Sequence, residues 1–111
     1  MIHETLIKFK EKKKKVRFGM WTISKMIDFG YRLETIQQDI NANPIKFFVT
    51  VTYLGACNAL DKDLDSYNLN DFYDWLDETE GGIEGKEMQK IQKCFTESLS
   101  FGVKSTDSKK K

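Results

Sequence analysis

Between Asn43 and Leu60 the chain is apolar almost without a break, and this run limits the folds open to it more than any other feature. Pro44 fits the first position of a helix, where its missing N–H removes nothing, and Asn43 before it can cap the free N–H groups. The helix that follows carries Ile45, Phe47, Phe48, Val49, Val51, Tyr53, Leu54, Ala56, Cys57, Ala59 and Leu60. A helix apolar on every face is either central to a core or covered by another subunit. In a chain of 111 residues one helix is hard to surround completely, so a share of its surface is expected at an interface. It is not a membrane span. Thr50, Thr52, Gly55 and Asn58 interrupt it, and no run approaches the roughly 18 apolar residues required.

Residues before this helix change period at a glycine. Thr5 to Lys10 is rich in strand formers, and Lys14-Lys15-Val16-Arg17-Phe18 alternates cleanly, so the two read as a hairpin turning at Glu11-Lys12-Lys13. No Asn-Gly or Asp-Gly specifies that turn, and a frayed N-terminal helix is the competing reading. After Gly19 the spacing becomes helical through Met20, Ile23 and Ile27, with Gly30 as the stop. Leu33, Ile36 and Ile40 predict a second short helix.

Beyond the apolar helix, Asp61 to Asn68 is an acidic loop. Asn70 is placed as the cap of a short helix whose Phe72, Trp75 and Leu76 share a face, with Asp71 near the positive end of its dipole. Gly81-Gly82 closes it. Met88, Ile91, Phe95 and Leu99 then predict an amphipathic helix over 84–100, with Phe101-Gly102-Val103 docking after it. The expected fold is mainly α: a single domain over 1–103 with about five helices and a short N-terminal β-hairpin. A disordered lysine-rich tail is expected over 104–111.

Charge is unevenly distributed. Residues 1–32 hold nine Lys and Arg against three acids (+6), residues 33–85 two against eleven (−9), and residues 86–111 seven against three (+4). Basic ends around an acidic middle favour self-association, or neutralise one another within a molecule. Cys57 and Cys94 fall in predicted helices without a Cys-x-x-Cys spacing, which reads as reduced thiols in a cytoplasmic protein, a disulfide between them being the alternative. The N-terminus lacks a signal-peptide pattern.

Candidate chemistry is sparse. Asp61, Asp63 and Asp65 open like a calcium loop, but Ser66 stands where Gly is needed and Phe72 where a bidentate Glu is needed. His3 is the single histidine, which leaves no His-Cys zinc cluster and little for acid–base work. Asp74, Asp77 and Glu78 read as a solvated helix face. Gly81-Gly82-Ile83-Glu84-Gly85 lacks the Lys-Ser/Thr of a phosphate loop. No metal site, cofactor or catalytic residue is assigned, and the chain is not read as an enzyme. Lys12 to Lys15 with Arg17, Phe9 and Phe18 could contact single-stranded nucleic acid, or simply protect a strand edge. Trp21 and Trp75 fit either a core or an interface.

In three blocks the chain resembles the tail assembly chaperones of long-tailed bacteriophages. A strand ending in Phe-Gly and leading into a helix is matched by Val16-Arg17-Phe18-Gly19. The aromatic and Gly-Ala near the end of a central apolar helix are matched by Tyr53-Leu54-Gly55-Ala56. An acidic helix of the type Leu-Thr-x-x-x-(Val/aromatic)-x-x-(Trp/Leu) is matched by Leu69-Asn70-Asp71-Phe72-Tyr73-Asp74-Trp75-Leu76. Asn70 replaces the usual Thr cap, and the lysine run at 12–15 is unusually dense. The likeness spans roughly residues 5 to 100.

The resemblance implies a non-catalytic, oligomeric helical protein of the infected bacterial cytoplasm, absent from the mature virion. Such a protein binds the tape measure protein and helps recruit tail tube subunits. Candidate partner-binding residues are Phe18, Trp21, Phe47, Phe48, Tyr53, Phe72 and Trp75. A lysine-coding slippery stretch at Ser108 to Lys111 would fit the frameshifted longer form known in that family. The reading from another class is a small nucleic-acid-binding regulator that uses the basic N-terminal region.

Overall fold

The structure, a computed structural model, describes residues 3–107, with side chains described over 3–99. Two strands, β1 (His3–Phe9) and β2 (Lys12–Phe18), form an antiparallel hairpin. Five helices follow: α1 (Met20–Asp28), α2 (Ile36–Ala42), α3 (Pro44–Leu60), α4 (Leu69–Glu78) and α5 (Lys86–Asp107). Single 3₁₀ turns at Leu33–Thr35, Leu64–Ser66 and Gly82–Glu84 join them. The expected architecture, mainly helical with an N-terminal hairpin, is the one observed.

The hairpin closes earlier than its sequence indicates. Phe9 pairs with Lys12, so the turn is Lys10-Glu11 rather than Glu11-Lys12-Lys13. Both residues take left-handed backbone angles, φ 52° and 65°. That geometry matches the twist of the strands but is usually carried by Asn or Gly. The phase follows from this turn. Ile7 and Phe9 face inward with Val16 and Phe18, while Glu4, Leu6, Lys8, Lys13 and Lys15 face solvent.

α3 is central to the molecule. It touches β2, α1, α2, α4 and α5, and it is buried from Phe47 through Asn58 without a break. The expected interface share is therefore corrected: the chain's own elements cover the apolar faces, and only Ile45 and Leu60 at the helix ends stand exposed. Its start is as the sequence indicates, with Asn43 Oδ1 accepting the Lys46 N–H at 3.0 Å.

Gly55 sets how closely the sheet approaches this helix. A Cβ there would lie 2.5 Å from Val16 Cγ1 and 2.7 Å from Phe18 Cε1, both side chains being fully buried. Only hydrogen fits. The strand backbone can then settle against α3, and Phe18 reaches past it to meet Phe95 of α5 edge-on at 5.6 Å.

α4 is capped by Asn68, whose Oδ1 accepts the Asn70 N–H at 2.8 Å, so the cap lies two residues before the expected Asn70. Phe72, Trp75 and Leu76 are buried as one face. In α5, Met88, Ile91 and Phe95 are buried and Leu99 packs at the core margin. This helix starts at Lys86 and runs on to Asp107, past the expected end at Ser100. The last four residues of the 104–111 tail lie outside the described residues.

Gly55→Ala tests this packing. Forcing a methyl against Val16 and Phe18 costs about 1–3 kcal/mol of overpacking, against about 1 kcal/mol of helix propensity gained. The urea unfolding midpoint of the variant is expected to fall with an unchanged m-value; a rise would mean that the strand does not press on this glycine.

Candidate functional site

Six of the seven aromatic residues put forward as partner contacts lie inside the molecule. Phe18, Phe47, Phe48, Tyr53, Phe72 and Trp75 are all buried. They meet ring to ring: Phe47 contacts Phe48 at 5.0 Å and Phe95 at 5.7 Å, and Phe72 contacts Tyr53 at 6.0 Å and Trp75 at 6.5 Å. Burying each such ring stabilises the fold by about 1.5–3 kcal/mol, so these residues serve packing and are not available to a partner while the domain stays folded. Trp21 is the exception. It is half-buried on α1, and Lys25 Nζ sits 5.6 Å from its ring centre.

The exposed apolar surface is elsewhere. Met20 is 69% exposed, Ile27 52%, Leu33 49% and Phe29 43%. Met20 and Ile27 are two helical turns apart on the outer face of α1, and Phe29 and Leu33 follow in the connection to α2. The same helix turns Thr22, Ile23 and Met26 inward. Period and composition do mark α1 as a helix. Which of its apolar residues would be left outside was not legible, because Met20, Ile23 and Ile27 all conform to helical spacing.

A buried polar latch holds the start of α1. Asn58 Nδ2 donates to Arg17 O at 2.9 Å and to Thr22 Oγ1 at 3.1 Å, and Thr22 Oγ1 donates to Arg17 O at 3.0 Å. Three elements thus meet at one carbonyl: the end of β2, the first turn of α1 and the last turns of α3. Asn58 Oδ1 has no hydrogen-bond partner among the described residues. Beside it is a crevice of about 280 Å³ lined by Arg17, Gly19, Met20, Trp21 and Lys62. The single Asn58, an interruption of an apolar run, was the available signal for this latch.

The outer face of the hairpin is basic, with Lys8, Lys13 and Lys15 beside an Arg17–Glu4 pair at 3.8 Å. Phe9 and Phe18, suggested as stacking partners for bases, are 5% and 2% exposed and point into the core. The aromatics and the exposed lysines therefore do not form one surface. Lys10 Nζ reaches Asp71 at 3.2 Å, which ties the turn to the first turn of α4.

In the acidic loop, Asp63 Oδ1 accepts the Asp65 N–H at 2.9 Å, and a 3₁₀ turn occupies Leu64–Ser66. No group of three or more His, Cys, Asp or Glu able to hold a metal ion occurs among the described residues, and no described helix is long and apolar enough to cross a membrane. Cys57 and Cys94 are free and buried. Comparison with known proteins brings no match from family models, curated proteins or solved structures.

One pair of titratable groups is strongly perturbed. The Tyr53 hydroxyl donates to Leu64 O, and Cys57 Sγ lies 4.0 Å from the same carbonyl. Burial, reinforced by Cys57, Asp65 and Asp63, pushes the Tyr53 phenol up to about 12. Burial likewise pushes the Cys57 thiol up to about 11. Both groups are acids that the fold keeps neutral, so their contribution is complete below their ordinary values of 9.0 and 10.0 and is lost as pH rises through the shifted ones. The urea midpoint should be flat through neutral pH and decline from about pH 9 upward, more gently in Tyr53→Phe. An equal decline in that variant would assign the alkaline loss to other groups.

Proposed function

We propose that this protein is a non-catalytic assembly chaperone of the kind its sequence resembles. In this reading it binds the tape measure protein of a long-tailed bacteriophage and helps recruit tail tube subunits in the cytoplasm of the infected host, without entering the mature virion. The observation that carries the reading is the exposed apolar series Met20, Ile27, Phe29 and Leu33 on a domain whose other large side chains are mostly buried. Apolar side chains at helical spacing suit a client that is itself a long amphipathic helix, because two such faces bury each other without either partner refolding.

The reading changes which residues meet the client. Of the aromatics first assigned to it, Trp21 alone stays available, and it joins Met20 and Ile27 on α1. The six buried rings supply the rigid body that holds this face in place. Self-association remains part of the proposal, through the basic hairpin face and the acidic residues of α4. The nucleic-acid alternative draws on the same lysines, but the inward-facing Phe9 and Phe18 remove the stacking platform that single strands use.

Co-expression with a tape measure protein, the client this reading assigns, tests the proposal. The client is expected to stay soluble and to co-purify. The double variant Met20→Glu, Ile27→Glu should retain at most about a tenth of it, with an unchanged melting temperature. A client that aggregates equally with and without this protein would contradict the reading. So would full capture by the double variant.

A further inference from the structure

The hairpin has two strands and therefore two outer edges. In an antiparallel pair, facing residues alternate between those that exchange both backbone hydrogen bonds and those whose N–H and C=O groups point away from the partner strand. Two contacts fix the phase. The Lys8 N–H donates to Glu87 Oε1 at 3.1 Å, so it does not serve the strand ladder. Arg17 O accepts from Asn58 and Thr22, outside the sheet. Lys8 faces Lys13, Leu6 faces Lys15 and Glu4 faces Arg17, and these are therefore the outward-pointing pairs.

On β2, the N–H and C=O groups of Lys13 and Lys15 point off the sheet edge, and no described residue pairs with them. The β1 edge differs, because α5 packs along that strand and Glu87 takes the Lys8 N–H. Beside the free edge a shelf of about 160 Å³ lies between Lys13, Lys14 and Lys15 and the α3 residues Ala56, Ala59 and Leu60, with Tyr67 at one side. Leu60 is 57% exposed there. The two alanines leave height above the helix for an incoming side chain.

A free strand edge is a template for another strand, and lysines along it decide which strand can come. The β2 edge of a second copy would set lysines against lysines, and like charges directly opposite destabilise pairing. A strand with carboxylates at alternate positions reverses that sign. It would set them beside Lys13 and Lys15 on the open face and lower the intervening side chains onto the α3 shelf.

We propose that the free edge of β2 takes up an extended acidic segment of a partner protein as a third, antiparallel strand in which carboxylates alternate with small apolar residues. Backbone pairing provides the affinity, the lysines select the charge, and the shelf selects side-chain size. Pairing stops at Arg17, whose carbonyl the Asn58 latch already holds. This surface is separate from the outer face of α1, and the proposal does not depend on what binds there.

Fluorescence anisotropy with the full-length protein provides the test, using a labelled peptide of alternating Asp and Val. Two further versions carry N-methyl groups either on the Asp residues or on the Val residues. The Asp residues would face Lys13 and Lys15 and donate into β2, whereas the Val N–H groups would point away. The parent peptide should bind, Asp methylation should weaken it at least about tenfold, and Val methylation should leave it nearly unchanged. Lys15→Pro removes one outward N–H and no bond of the hairpin, and it should weaken the parent peptide to a similar degree. Absence of peptide binding, equal loss on either methylation, or binding of single-stranded RNA in place of the peptide would overturn the proposal. The methylated pair needs no protein variant, so a misfolded Lys15→Pro would leave the result decisive.

Discussion

The close approach of β2 to α3 at Gly55 is the contact on which the rest of the structure depends. With no side chain at that position, Val16 and Phe18 lie directly against the helix. Phe18 then reaches Phe95 of α5, and on the neighbouring strand Phe9 stacks on Phe72 of α4 at 4.6 Å. A two-stranded ribbon alone is marginal in water, but it is stable once one face packs on helices. Here that face also joins α4 and α5, through Phe9 on Phe72 and Phe18 on Phe95. The hairpin is thus part of the core rather than an appendage to it.

The same geometry separates stability from recognition. The rings that pack the interior leave no described aromatic on the open face of the hairpin with Lys8, Lys13 and Lys15, and the Asn58 latch holds the start of α1. Apolar contact and basic charge therefore occupy different surfaces: the outer side of α1 with its connection to α2, and the open face and free edge of β2. Under the chaperone proposal the first surface would meet the client, while the second is assigned independently of it. Neither surface requires any residue of the core to move.

Much of the fold was legible because local signals agreed with the final packing. Asn43-Pro44 fixes the start of α3, Gly30 with φ 102° follows α1, and the 3–4 spacing of Met88, Ile91 and Phe95 gives the inner face of α5. Sequence and structure differ where two neighbours could serve the same role. Asn68 and Asn70 are both competent caps, and only the approach of the loop selects Asn68. Lys10 and Glu11 adopt a turn that their types do not advertise, because the inward phase of Ile7 and Phe9 requires it. The covering of α3 is hidden from the sequence for a different reason. β2 packs on it at Gly55 beside α1, α2, α4 and α5, and the sequence does not show how much of a helix such a hairpin can cover. For the candidate sites, the residue types were visible early, but burial reversed their roles: the aromatics went inside, and Met20, Ile27 and the backbone of β2 remained outside.

In this fold α3 is covered by its own chain. Native-state hydrogen exchange of the α3 amides, measured over a wide range of protein concentration, addresses it most directly. The amides from Phe47 to Asn58 should exchange only through global unfolding, with a free energy equal, at each concentration, to that from urea denaturation. Protection that falls well below global stability in dilute protein would show that another subunit completes the core, the result that contradicts coverage of α3 by its own chain.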